Sequence, residues 1–170
     1  MAERQLNAIQ FLSEDHRRVE ALFEEFENAK KDGEKERIAR EICAELVVHT
    51  SLEEEIFYPA LRGKISDDDL DEAMVEHDSA KVLIREIQQG SPSEDFYDAK
   101  VKVLKELVEH HVKEEERQAD NIFSQARKAD VDLDALGAEM ADAKAGMLNF
   151  AETGEMPEVE MATLQHEGEA

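Results

Sequence analysis

The chain has 170 residues and a mass of 19.3 kDa, enough for one domain with a substantial core. Asp and Glu number 43 against 20 Lys and Arg, and the formal net charge of −23 repels nucleic-acid phosphates and anionic membrane surfaces, so neither is expected as a partner. Charged residues make up 37% of the chain against seven Gly and three Pro, the composition of long amphipathic helices. No apolar run approaches the roughly 18 residues that cross a bilayer, and charges fall too early at the N-terminus for a secretory signal. The single cysteine, Cys43, sits among Ile42, Leu46 and Val47 and reads as a small buried apolar residue. A cytoplasmic protein is expected.

Apolar residues recur at helical spacing almost throughout. Ile9, Leu12, His16, Val19, Leu22, Phe23 and Phe26 predict a first helix over 7–31, ending at Asp32-Gly33. Ile38, Ile42, Leu46, His49, Leu52, Glu53, Ile56, Phe57 and Leu61 predict a second, closed near Gly63, with Pro59 loosening its last turn. Ser66 followed by Asp67, Asp68 and Asp69 is an N-cap with acidic first-turn residues. The third helix it opens carries Leu70, Ala73, Met74, His77, Leu83, Ile84 and Ile87 up to Gly90-Ser91-Pro92. A fourth should run from Glu94 through Val101, Leu104, Val108, His111 and Glu115 towards Phe123 and Ala126. Beyond it, Leu133, Leu136, Met140, Met147 and Leu148 predict a shorter fifth helix, and 153–170 reads as a disordered tail. The expected fold is all-α: an antiparallel up-down-up-down four-helix bundle over 1–130, an accessory helix over 131–152, then the tail.

The first two helices echo the next two. His16 and His77 are 61 residues apart, and His49 and His111 are 62 apart. His49 and Glu53 are four apart, as are His111 and Glu115, so each pair stacks on one face of its helix. Both faces are apolar, where an imidazole beside a carboxylate is costly unless a metal ion supplies the opposite charge. In an antiparallel hairpin, residues equally far from the turn share a depth. The midpoints of His16–His49, Glu53–His77 and His77–His111 all fall at predicted turns, which brings four His and two Glu to one level of the core. His111 is preferred over the adjacent His110 because it continues the face of Val101, Leu104 and Val108 and spaces to Glu115. Imidazole and carboxylate without thiolate point to iron or manganese rather than structural zinc, and two facing carboxylates can bridge two ions. Glu20, Glu54 and Glu116 read as solvated, Tyr58 as packing at the bundle end with a hydrogen-bonding role as the alternative, and His166 as a tail residue.

The stretches FLSEDHRRVEALFEEF, ICAELVVHTSLEEEIFYPAL, DEAMVEHDSAKVLIREI and LKELVEHHVKEEE resemble the hemerythrin-like proteins with an HHE cation-binding domain. The resemblance implies a non-haem centre of two iron ions with an oxo or hydroxo bridge. Glu53 and Glu115 would be the bridging carboxylates and His16, His49, His77 and His111 terminal ligands. Oxygen-carrying hemerythrins have a further histidine where this chain has Ala73, which implies an open site suited to reacting with oxygen, peroxide or nitric oxide. A second departure lies after Glu115, where about three extra residues and no proline predict a longer helix with its ligand face kept. The expected function is a sensor, scavenger or small oxidoreductase. Catalase- or peroxidase-like activity is left open, and so is the redox partner. The alternative is a non-catalytic iron-binding module for storage or sensing.

Overall fold

The structure, a computed structural model, describes residues 4–152 and 158–164, with side chains up to Leu148 in the last helix. Helix α1 (Ala8–Asn28) opens with a capping box in which the Asn7 side chain accepts from the Gln10 N–H and the Gln10 side chain from the Asn7 N–H. It buries Ile9, Leu12, His16, Val19, Phe23 and Phe26, alternating steps of three and four that keep one face inward. The first turn comes earlier than the sequence predicts. Helix α2 (Asp32–Leu52) begins at Asp32, so Asp32 and Gly33 lie inside its first turn, where a carboxylate suits the positive end of the dipole.

A π-helical turn, Glu53–Phe57, follows α2 directly and leads into the short α3 (Tyr58–Leu61). This is the loosening expected of Pro59. A second π-turn, Lys113–Arg117, follows α5 (Tyr97–Val112) with no proline near it, so proline is not the common cause. Between them α4 (Asp67–Gln89) starts at Ser66, whose hydroxyl accepts from the Asp69 N–H. Helices α1, α2, α4 and α5 pack in sequence as the bundle.

The fourth helix does not lengthen as expected. After the second π-turn the chain breaks: Asp120 takes a left-handed conformation (φ 51°) and Asn121 caps a new helix, α6 (Ile122–Lys128). Helix α6 folds over the end of the bundle, where Phe123 stacks 5.9 Å from the His16 ring and meets Phe57 edge-on. Helix α7 (Leu133–Glu152) lies against α1 and α2. It crosses the start of α1 at Gly137, where a Cβ would stand 2.2 Å from the Leu6 carbonyl oxygen, so only glycine permits the approach.

Residues 158–164 correct the expectation of a wholly disordered tail. Val159 is buried in the core, and its carbonyl accepts from Arg85. The N–H groups of Ala162, Thr163 and Leu164 and the Thr163 hydroxyl all donate to the buried Asp78 carboxylate. His166 lies outside the described residues.

The apolar core forms two clusters. One, towards the α1–α2 turn, holds Phe23, Phe26, Ile38, Ile42, Ile84 and Leu104. The other holds Leu12, Leu52, Phe57, Leu70, Phe123 and Met140. A polar layer separates them. Among the described residues no helix is long and apolar enough to cross a membrane.

Candidate metal centre

His16, His49, Glu53, His77, His111 and Glu115 are all buried and meet in this polar layer. The imidazoles come as two pairs, His16 with His49 and His77 with His111, each with Nε2 atoms 3.1 Å apart. Glu53 links the pairs: its Oε1 meets His49 Nε2, while its Oε2 lies 3.5 Å from His77 Nε2 and 3.8 Å from His111 Nε2. Glu115 reaches in from the opposite hairpin, with Oε2 3.3 Å from both His16 Nε2 and His111 Nε2. Two groups result, each able to hold a metal ion: His16, His49, Glu53 and Glu115, and Glu53, His77 and His111. His110 stays outside them, 59% exposed, as the helical facing predicts.

Every Nδ1 faces outward towards a carboxylate, and two of these four partners, Glu54 and Glu116, differ from what the sequence suggested. His49 Nδ1 donates to Asp15 (3.2 Å), His77 Nδ1 to Glu54 (3.0 Å) and His111 Nδ1 to Glu76 (3.2 Å). Glu116 stands 3.4 Å from His16 Nδ1 without completing a hydrogen bond. An ionised carboxylate only accepts, so Nδ1 carries a proton at His49, His77 and His111, and Nε2 is the atom left to bind an ion. Glu54 and Glu116 are therefore not solvated residues, with side chains only 14% and 12% exposed. The repeat itself could have found them. Asp15 and Glu76 each precede the first histidine of a hairpin, and Glu54 and Glu116 each follow its inner glutamate.

Three of the four orienting carboxylates are held by a further cation. Lys144 of α7 reaches Asp15 (2.6 Å), Lys81 reaches Glu54 (2.8 Å), and Arg17 pairs with Glu116. Lys81 also lies 3.3 Å from Asp78, which the 158–164 segment covers. Tyr58 corrects the bundle-end reading. Its N–H bonds to the Glu53 carbonyl five residues back, the signature of the π-turn, which brings the side chain onto the face of Glu53. The hydroxyl donates to Glu115 Oε1 (3.2 Å) and lies 3.4 Å and 3.5 Å from His77 and His111 Nε2. A phenol thus stands beside the second group, which is less open than Ala73 alone implied.

The layer's own carboxylates set which imidazoles carry charge. Burial disfavours His49's charged form, but Glu53 and Asp15 outweigh it and push its pKa up to about 10. His111 is likewise raised against burial by Glu115 and Glu53. At His16 burial wins and the pKa falls. Burial would raise Glu53, yet His49, His111 and His77 hold it well below the usual carboxylate range. Burial and the charges of Glu115 and Glu53 raise Tyr58, so it remains a neutral donor. Both oxygens of Glu53 and Oε2 of Glu115 accept no hydrogen bond although they are fully buried. Carboxylate oxygens so placed among four Nε2 atoms are a donor set that could hold a metal ion.

A cavity of about 30 Å³ adjoins the four imidazoles, walled by Val19, Leu46, Ala80, Ile84, Val108 and Val112 among others. It has room for one or two atoms' worth of ligand beyond a water.

A helical bundle with a buried layer of paired His and Glu could hold a cation at its centre. The family model for the hemerythrin HHE cation binding domain matches residues 7–119. The chain belongs to that family. A crystal structure of a hemerythrin HHE cation binding domain-containing protein from Mycobacterium kansasii is similar, with a TM-score of 0.74, 25% identity, and coverage of 87% of this chain and 91% of that one. A DNA nickase from Nostoc sp. is 30% identical over 102 residues, 60% of this chain. The chain spans only 29% of that relative's length.

Proposed function

We propose that the chain is a non-haem di-iron protein that reacts with a small oxidant: oxygen, peroxide or nitric oxide. The observation that carries this is the inward convergence of four Nε2 atoms on carboxylate oxygens with no hydrogen-bond partner, each imidazole faced from outside by a carboxylate. His16, His49, Glu53 and Glu115 would hold one ion, and Glu53, His77 and His111 the other. Nitrogen and oxygen donors without thiolate suit iron or manganese. Two iron ions so held would supply redox electrons and open coordination positions.

The chain's own residues do the rest. The apolar cavity admits a ligand of a few atoms and excludes larger substrates and bulk water. Tyr58 holds a phenolic proton within reach of the second group and of Glu115. The nicking activity named for the Nostoc relative belongs to a protein about twice as long, of which the match covers 29%. A net charge of −23 opposes DNA binding, and we assign the shared region to cation binding.

The test is iron content and visible absorption of the purified chain, followed by oxygen evolution on adding peroxide. Two iron ions per chain with near-ultraviolet charge-transfer bands are expected, and a colourless chain that cannot be loaded would overturn the reading. Loaded protein that neither turns over peroxide nor changes its spectrum with oxygen or nitric oxide would favour the non-catalytic iron-binding alternative.

A further inference from the structure

The four orienting carboxylates differ in one respect. Asp15, Glu54 and Glu116 each pair with a Lys or Arg as well as facing a histidine. Glu76 has no such partner among the described residues. Its Oε1 accepts from His111 Nδ1, and its Oε2 instead faces His110 Nε2 at 3.5 Å. Glu114 Oε1 lies 3.2 Å from the same His110 nitrogen. Two carboxylates and an imidazole therefore converge without the cation that the other three positions possess.

Their spacing suits an ion. The donor atoms of Glu76, His110 and Glu114 lie within 4.8 Å of one another. Donors about 2.1 Å from a tetrahedral ion stand roughly 3.4 Å apart, which matches the distances at His110. The cluster borders a cavity of about 40 Å³ whose rim carries Asp69 and Glu72 and whose lining also includes His111 and Glu115. Glu115 is fully buried, and its Oε2 accepts no hydrogen bond. The cavity is thus lined both by carboxylates of the outer cluster and by Glu115 of the buried centre.

We propose that Glu76, His110 and Glu114 form a third, outer site for a divalent transition-metal ion, from which the buried centre is loaded. Glu76 joins the two levels, since one oxygen serves the outer cluster and the other steadies His111. Mixed nitrogen and oxygen donors at a half-exposed position select a borderline ion such as Fe²⁺ or Zn²⁺ over Mg²⁺, and Mn²⁺ serves as their paramagnetic probe. Rapid exchange follows from that exposure. The loading role rests on the di-iron reading above; the outer site itself does not.

The experiment titrates Mn²⁺ into the full chain already loaded with iron and counts bound ion by electron paramagnetic resonance. One further Mn²⁺ per chain is expected, weakened at least tenfold by His110→Ala. Because His110 is 59% exposed and touches neither core cluster, that variant should fold as the parent does. Anaerobic Fe²⁺ uptake should slow several-fold in the same variant while its final iron content is unchanged. Absence of the additional Mn²⁺, or equal binding by the variant, overturns the site. Equal uptake rates overturn the loading role. If the di-iron reading fails instead, the chain retains no iron yet still binds one Mn²⁺ that His110→Ala weakens.

Discussion

The two hairpins carry the same inner set but are braced differently. In each, the residue before the first histidine (Asp15 or Glu76) bonds the second histidine of that hairpin, His49 or His111. The residue after the inner glutamate (Glu54 or Glu116) faces the first histidine of the other hairpin, His77 or His16. This pseudo-twofold pattern couples the halves: neither hairpin orients all its imidazoles alone. The braces break the symmetry. Helix α7 supplies Lys144 to Asp15, whereas the 158–164 segment covers Asp78 beside Lys81, and Glu76 is left to His110 and Glu114. Inner geometry is thus held in common while the outer charges belong to each side separately.

Glu53 spans both groups, so its removal should erase the comparison altogether. Glu53→Ala is expected to lose both ions, leaving under a tenth of the parent's iron after gel filtration by elemental analysis. Retention of one full equivalent would show that the groups bind independently. The braces come next. Lys81 is buried between Asp78 and Glu54, so Lys81→Met takes the shared cation from two carboxylates and should cost about 3 kcal/mol in urea unfolding of the ion-free chain. Lys144 is more exposed, and Lys144→Met should cost less, about 1 kcal/mol. An equal loss would mean that α7 braces its hairpin as tightly as the buried lysine does. Tyr58→Phe removes one hydrogen bond to Glu115, for roughly 1 kcal/mol, and should shift the visible spectrum of the loaded chain. An unchanged spectrum would place the phenol outside the centre's influence.

The smallest effect is alkaline and lies away from the centre. Burial pushes the Cys43 thiol up to about 12, and burial with the nearby Cys43 and Glu36 raises Tyr97 to about 12 as well. Both groups remain neutral in the fold at pH values where the unfolded chain ionises. The unfolded state then binds fewer protons, so their contribution is intact below the unfolded pKa values and declines as pH rises towards 12. Melting temperatures should therefore fall from about pH 9 upward, and a thiol reagent should not label the folded chain at pH 8. Rapid labelling at pH 8 would contradict the burial.

The inner set was legible because its residues obey helical spacing and repeat at offsets of 61 and 62. Histidine on an apolar face is a strong signal, as it has a poor alternative explanation there. Glu54 and Glu116 were misread because a glutamate in a run of three has no signature of direction. Only the fold shows that adjacent carboxylates of one helix serve different hairpins. Tyr58 was misplaced because periodicity assumes an unbroken α-helix, and a π-turn leaves no local mark that sequence spacing registers. Phe123 was assigned to a continuous fourth helix, since the reversal at Asp120 depends on backbone conformation more than on residue type. The docked 158–164 segment was hidden for a related reason. Its contacts to Asp78 are made by backbone N–H groups, which every residue but proline possesses.

The π-turns act as phase shifters. One surplus residue per ligand helix turns everything after Glu53 by about 100°, so the helix aims its acid and its phenol along one line although their numbers differ by five. Helix length before the turn and side-chain aim after it can therefore vary separately. Excising one residue between Glu53 and Tyr58 would delete no ligand, yet it would return the segment to ordinary winding and swing the phenol away. Such a deletion acts as a change of angle rather than of chemistry.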